Sequence, residues 1–201
     1  MTADVILNFL IFSITFYLIA RYARQDGKWA LKRLKTVFRF FTCQSNVFCA
    51  AAALLTGAFL LAGGVPEWVR ILKYIGTAAV TITMLTVFLF LWPSFGRDSL
   101  KQLLSGPDLF MHLITPVLAI VSFCFPERQG MTFAQALWGL FPVAAYGPYY
   151  LYRIRFAPED RRWDDFYGFN KQGKWPVAFG IMAAGSFALC MVFMLVSNSK
   201  N

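Results

Sequence analysis

Six long apolar runs alternate with short polar or basic segments along this chain, at about residues 5–20, 37–62, 71–92, 109–125, 131–152 and 175–196. A bilayer core takes ~20 helical residues, roughly 17–25. Most runs meet that length, and the first and fourth reach it by borrowing flanking residues. The pattern predicts an all-α fold, a polytopic membrane helical bundle of six transmembrane helices, read as a single integral membrane domain over residues 1–201. Pro66 follows Gly63 and Gly64 at the end of the second run, and Pro93 and Pro126 close the third and fourth. Pro142, Gly147 and Pro148 lie inside the fifth and predict a bend there, tolerated where neighbouring helices re-satisfy the backbone. Asp4 precedes the first run, Arg21 and Arg24 follow it, and no small-residue cleavage site closes it. It reads as a retained span and not as a cleaved signal peptide.

Composition agrees with that reading. Of the 201 residues 58% are hydrophobic and only 14% charged, where a soluble domain carries about 25% charged. The mean hydropathy is +0.56. The net charge of +9 gathers in loops. That suits anionic lipid headgroups, and no basic face of a nucleic-acid reader is visible. The first loop holds Arg21, Arg24, Lys28, Lys32, Arg33 and Lys35. The third holds Arg97 and Lys101, and the fifth Arg153, Arg155, Arg161, Arg162, Lys171 and Lys174. The opposite side has Arg70, Lys73 and Arg128 in its loops and Lys200 at the end. The bias places loops one, three and five in the cytoplasm and both termini outside. Trp29, Trp92, Trp138, Trp163 and Trp175, with Tyr146, Tyr149, Tyr150 and Tyr152, fall near run ends as an interfacial belt does. The tyrosines of the fifth run equally suit a pocket wall.

Cys43, Cys49, Cys124 and Cys190 all lie inside apolar runs and form no C-x-x-C pair, so they read as small packing residues. One histidine and no thiol cluster argue against structural zinc, and a haem held by two histidines of one chain is excluded by the count. No cofactor is expected.

Chemistry concentrates in two places. Thr42, Gln44, Ser45 and Asn46 are polar residues near the start of the second run, and His112 sits near the start of the fourth. Unpaired polar groups are costly in hydrocarbon, so these turn inward and find partners. Helix two leaves its loop at about Val37 and helix four at about Asp108. Both loops lie on one side, so at 1.5 Å per residue Thr42 and His112 reach similar depths. Thr42, Ser45 and Asn46 share a helix face. Thr42 is a weak nucleophile unless a base takes its proton, and an imidazole is that base. Asn46, Gln44 or Ser45 can donate to a developing oxyanion. Asp108, four residues before His112, either orients the imidazole or caps its helix after Gly106 and Pro107. The bland readings stand beside these: Thr42 bonded back to its own helix, Asn46 and Gln44 bridging helices, His112 packing between them.

The segments FFTCQSNVF (residues 40–48) and DLFMHLITPVLAI (residues 108–120) resemble the two signature helices of the androgen-induced protein family, which includes the androgen-dependent TFPI-regulating protein and bacterial relatives. WGLFPVAAY (residues 138–146) and DDFYGFN (residues 164–170) resemble later parts of the bacterial members. The resemblance implies a multi-pass membrane hydrolase that cleaves fatty acid esters of hydroxy fatty acids, with a catalytic threonine and histidine at Thr42 and His112. It implies a lipid ester arriving from the bilayer as substrate, with membrane lipids around it and, in a bacterial member, residence in the inner membrane. A basic residue at the mouth, Arg39 or Arg153, is a candidate to hold a substrate carboxylate. Against this stands a non-catalytic bundle, a small transporter or lipid binder whose polar residues line a solute or proton path. Acyl transfer through the same acyl-enzyme is a third reading.

Overall fold

The computed structural model describes residues 2–25, 28–95, 101 and 103–199. Arg97 and Lys200, counted above among the loop charges, lie outside the described residues. The fold is all-α. Strand pairing among the described residues is confined to a two-residue antiparallel ladder, Arg24–Gln25 against Lys28–Trp29. The long helices are α1 (Ala3–Ala23), α3 (Phe41–Leu61), α4 (Glu67–Leu91), α5 (Gly106–Cys124) and α8 (Trp175–Asn198), each long and apolar enough to cross a membrane. The short α2 (Leu31–Val37) precedes α3. The fifth predicted run is broken into α6 (Phe133–Leu137), a 3-10 turn (Trp138–Leu140), α7 (Phe141–Leu151) and a π segment (Tyr152–Phe156).

The chain divides into two compact units, Met1–Gln129 and Gly130–Asn201. In the first, α1 packs on α3, α3 on α4, α4 on α5, and α5 back on α1, closing a four-helix ring. Ile11, Cys49, Ala53, Val80 and Ala119 form its apolar centre. Small residues let the backbones approach, as packing between membrane helices requires. A Cβ on Gly76 would stand 2.9 Å from the Cys49 Cα, so α3 and α4 touch backbone to backbone there.

Three π segments share one sequence feature. Val87–Leu91, Phe110–Ile114 and Tyr152–Phe156 each end two residues before a proline, Pro93, Pro116 or Pro158. Trp92, Thr115 and Ala157 accordingly donate to carbonyls five residues back, those of Val87, Phe110 and Tyr152. A proline ring clashes with the carbonyl four residues before it and brings no N–H, and widening the turn relieves both problems.

Two charges expected in loops of the side opposite loops one, three and five lie in a helix instead, and Arg70 falls near the start of α4. Lys73, read as a loop residue, lies inside α4 and is 1% exposed. Its Nζ donates to Asn8 Oδ1 at 2.5 Å and to Ser122 Oγ at 3.3 Å, and stands 3.6 Å from Glu127 Oε1. Asn8 Nδ2 donates to the same Glu127 oxygen at 2.6 Å, and the Ser122 hydroxyl does so too. A buried charge persists when it is paired and hydrogen-bonded, and this one has three partners. The cluster ties α1, α4 and α5 at the end of the ring where α1 begins.

In the second unit Tyr150, Ile154 and Trp163 form a small core with Tyr146, Phe166, Tyr167 and Phe169. Asp165 organises the loop around it. It accepts from the Tyr150 hydroxyl at 2.9 Å and from the backbone N–H groups of Phe169 and Asn170. Trp163 is therefore buried and not a belt residue, with the Arg153 guanidinium 4.7 Å from its ring centre. Tyr149 and Tyr152 stay exposed, as a belt expects. On α8 Val177, Ile181, Phe187, Val192 and Leu195 are exposed along an apolar surface of the kind lipid covers.

Candidate functional site

The site is built on the first turns of α3 and α5. Helix α3 starts at Phe41, later than the Val37 expected, because α2 ends at Val37 and Phe40 is extended. Gln44 Nε2 donates to the Phe38 carbonyl at 2.7 Å, satisfying an acceptor that the end of α2 leaves open. Thr42 is thus the second residue of α3, less deep than its run predicts. On the other side Ser105 is the N-cap of α5, and Asp108 lies within the first turn. His112 follows inside the π segment, 8% exposed.

The two converge. Thr42 Oγ1 lies 3.4 Å from His112 Nε2. His112 Nδ1 lies 2.8 Å from the Leu103 carbonyl oxygen. A carbonyl only accepts, so Nδ1 carries a proton in this contact, and in the neutral imidazole Nε2 then presents its lone pair to the Thr42 hydroxyl. At 3.4 Å that contact is long for an O–H···N bond. Hydroxyl, imidazole and a third group that fixes the tautomer are in line, and this arrangement draws a proton from a hydroxyl.

The third group is not the one expected. Asp108 accepts from the Tyr22 hydroxyl of α1 at 3.5 Å and takes neither the imidazole nor the N-cap. A backbone carbonyl replaces it, and the sequence carries no signal for that choice.

The expected oxyanion donors are also engaged elsewhere. Asn46 Nδ2 donates to the Thr42 carbonyl at 2.8 Å and to the Met111 carbonyl at 3.1 Å, which occupies both its hydrogens. The Met111 acceptor follows from the π segment. Thr115 N–H bonds to Phe110, and the next residue is Pro116, which has no N–H to give. Ser45 Oγ contacts the Thr42 carbonyl at 3.1 Å and Thr83 Oγ1 of α4 at 2.9 Å. Gln44 faces the α2 end. These residues hold the first turn of α3 against α4 and α5, so they position Thr42 and none aims a free donor at it.

Arg39 lies in the turn three residues before Thr42 and is half-buried. Arg153 belongs to the second unit, stacked on Trp163, and its Nε is buried without a hydrogen-bond partner among the described residues. A groove of about 670 Å³ runs beside α1, lined by Tyr17, Arg21, Tyr22, Arg24, Arg33 and Pro107 among others. Neither Thr42 nor His112 lines it, and Tyr22 in its wall donates to Asp108, four residues before His112. Comparison of the chain with protein-family models, with curated proteins and with solved structures finds no match.

Proposed function

We propose that this chain is an intramembrane esterase with Thr42 as nucleophile and His112 as general base. One observation carries the reading: the imidazole Nε2 faces the Thr42 hydroxyl at 3.4 Å while the opposite nitrogen is held on a carbonyl. A lipid ester enters from the bilayer, and the contact closes as its carbonyl docks at Thr42. His112 takes the Thr42 proton, the alkoxide attacks the acyl carbon, and the leaving alcohol takes the proton from His112. Water then releases the acid by the reverse sequence. Thr42 lies at the start of α3, so the positive end of the helix dipole opposes the negative charge that develops there.

The substrate class is a fatty acid ester of a hydroxy fatty acid, and the family is the androgen-induced protein family, on the resemblance of residues 40–48 and 108–120. Arg39, three residues from the nucleophile, holds a free carboxylate at the mouth. The chain crosses a bacterial inner membrane six times, with the broken α6–α7 run as the fifth crossing. Removing Lys73 from the loop count leaves the side opposite loops one, three and five poorer in basic residues, which supports cytoplasmic placement of those loops.

The test is turnover of a fluorogenic acyl ester by purified protein. Thr42→Ala and His112→Ala each reduce it by about 10²–10⁴-fold. Wild-type rates in both variants would end the proposal. A second reading, passage of a solute or proton without catalysis, draws support from the buried Lys73–Glu127 pair. Flux into proteoliposomes with no ester turnover would favour it. Acyl transfer differs from hydrolysis only in the acceptor, and added alcohol distinguishes the two.

A further inference from the structure

Three buried oxygens lie one helical turn beyond Thr42 and His112, and none has a hydrogen-bond partner among the described residues: Thr15 Oγ1 on α1, Asn46 Oδ1 on α3 and Thr115 Oγ1 on α5. The three residues are 2%, 0% and 0% exposed. Their common level follows from packing. Ile11, Cys49 and Ala119 belong to one core cluster. Thr15 comes four residues after Ile11, Asn46 three before Cys49 and Thr115 four before Ala119. Helix α1 runs antiparallel to α5, since Tyr22 meets Asp108 at one end and Asn8 meets Glu127 at the other. Each step therefore leads from the shared cluster toward the Thr42–His112 end, by roughly 4.5–6 Å, and steps of three or four keep the same face. The Asn46–Met111 bond fastens α3 to α5 at this level, one turn from Thr115.

The two threonines depart from the habit of this bundle. Thr56, Thr77, Thr81, Thr83 and Thr86 all donate to the carbonyl four residues back. Thr115 does not, and the carbonyl four residues back, Met111, accepts from Asn46 instead. Thr15 leaves the equivalent Ile11 carbonyl alone. A buried polar group without a partner costs about 1–3 kcal/mol, so three on one level call for a ligand. Two hydroxyls and one amide oxygen match a molecule that gives two hydrogen bonds and accepts one, which is water.

We infer that α1, α3 and α5 hold a water molecule between Thr15, Asn46 and Thr115. It donates to Asn46 Oδ1 and one hydroxyl and accepts from the other. Its role rests on the esterase reading: it is the water that frees the acid from acyl-Thr42. Its oxygen attacks the acyl carbon while its proton passes to His112 Nε2. The bond between acyl carbon and Thr42 Oγ1 then breaks, and His112 returns the proton to Thr42 Oγ1. One water is consumed, one carboxylic acid is released, and no redox partner is needed.

The water and its role are tested separately. Thr15→Val and Thr115→Val keep shape and remove the hydroxyl, and Thr→Ser at each position keeps the hydroxyl. With water bound, each valine variant melts below wild type, each serine variant melts above its valine counterpart, and the double valine variant loses less than the sum because the water is lost once. Valine variants that melt at or above wild type overturn the water, since isosteric removal of unpartnered hydroxyls relieves a cost. In ester turnover the valine variants keep the initial burst of alcohol and lose steady-state rate by about tenfold, the equivalent of one hydrogen bond. An unchanged steady-state rate overturns the hydrolytic role. A wild type that turns over no ester overturns that role together with the esterase reading, and the melting series still decides the water.

Discussion

Asn46 on α3 donates to the Met111 carbonyl on α5 at 3.1 Å, a carbonyl that receives no helix N–H because Thr115 bonds back to Phe110 and Pro116 has none to give. The same amide bonds the Thr42 carbonyl at 2.8 Å. One side chain thus holds the first turn carrying the hydroxyl and the π turn carrying the imidazole. In a regular helix the Met111 carbonyl would already hold one N–H, so the irregular turn leaves it freer to accept from Asn46 and to fasten the two helices at the level of the pair.

Asn46→Leu keeps volume and breaks both bonds, leaving the Met111 carbonyl unpaired in an apolar interior. The expected cost is about 1–3 kcal/mol, read as a lower melting temperature in detergent. Ester turnover falls together with it, because the Thr42–His112 distance is no longer fixed. A variant as stable and as active as wild type contradicts the bridging role.

Lys73 and Glu127 make a second prediction, at the opposite end of the ring. Lys73→Met leaves Glu127 as an uncompensated buried charge, and Glu127→Gln does the same to Lys73. Each single change destabilises by about 3–5 kcal/mol. The double variant is more stable than the sum of the two losses, because no lone charge remains. Thermal melts of the three variants measure the coupling directly, and strict additivity would show that the pair does not act as one.

At Gly76 α3 and α4 meet backbone to backbone. Gly76→Ala puts a methyl 2.9 Å from the Cys49 Cα, a backbone atom that cannot swing aside. The helices separate or the backbone shifts, at about 1–3 kcal/mol. Cys49→Ala keeps its Cα and does not rescue the variant, so both the single and the double change melt below wild type.

Much of the fold is written in the apolar runs, because length and hydropathy alone set which segments suit hydrocarbon. Five of the six predicted runs are long helices. The fifth run is apolar too, but a 3-10 turn before Pro142 and a π segment before Pro158 break it, and periodicity does not register such breaks. The π segments have a local sign, a proline two residues past each, and it becomes informative only once the register is seen. The Thr42 and His112 levels could be matched by counting residues from two loops on one side. Their partners could not. Leu103 contributes a carbonyl, which every residue has, and Asp108 turns to Tyr22 on a helix far off in sequence. Lys73 escapes the sequence for the same reason, since a charge near a run end looks like a loop anchor until its buried partners are located.

The central claim is that Thr42 carries the acyl group. Intact-mass and peptide mapping of protein quenched during turnover of an activated acyl ester tests it directly. The account predicts an acyl adduct on the peptide containing Thr42 in wild type, and none in Thr42→Ser/His112→Ala, where a hydroxyl remains but no base takes its proton. An adduct on another residue, or full turnover in Thr42→Ala with no adduct at all, would contradict it.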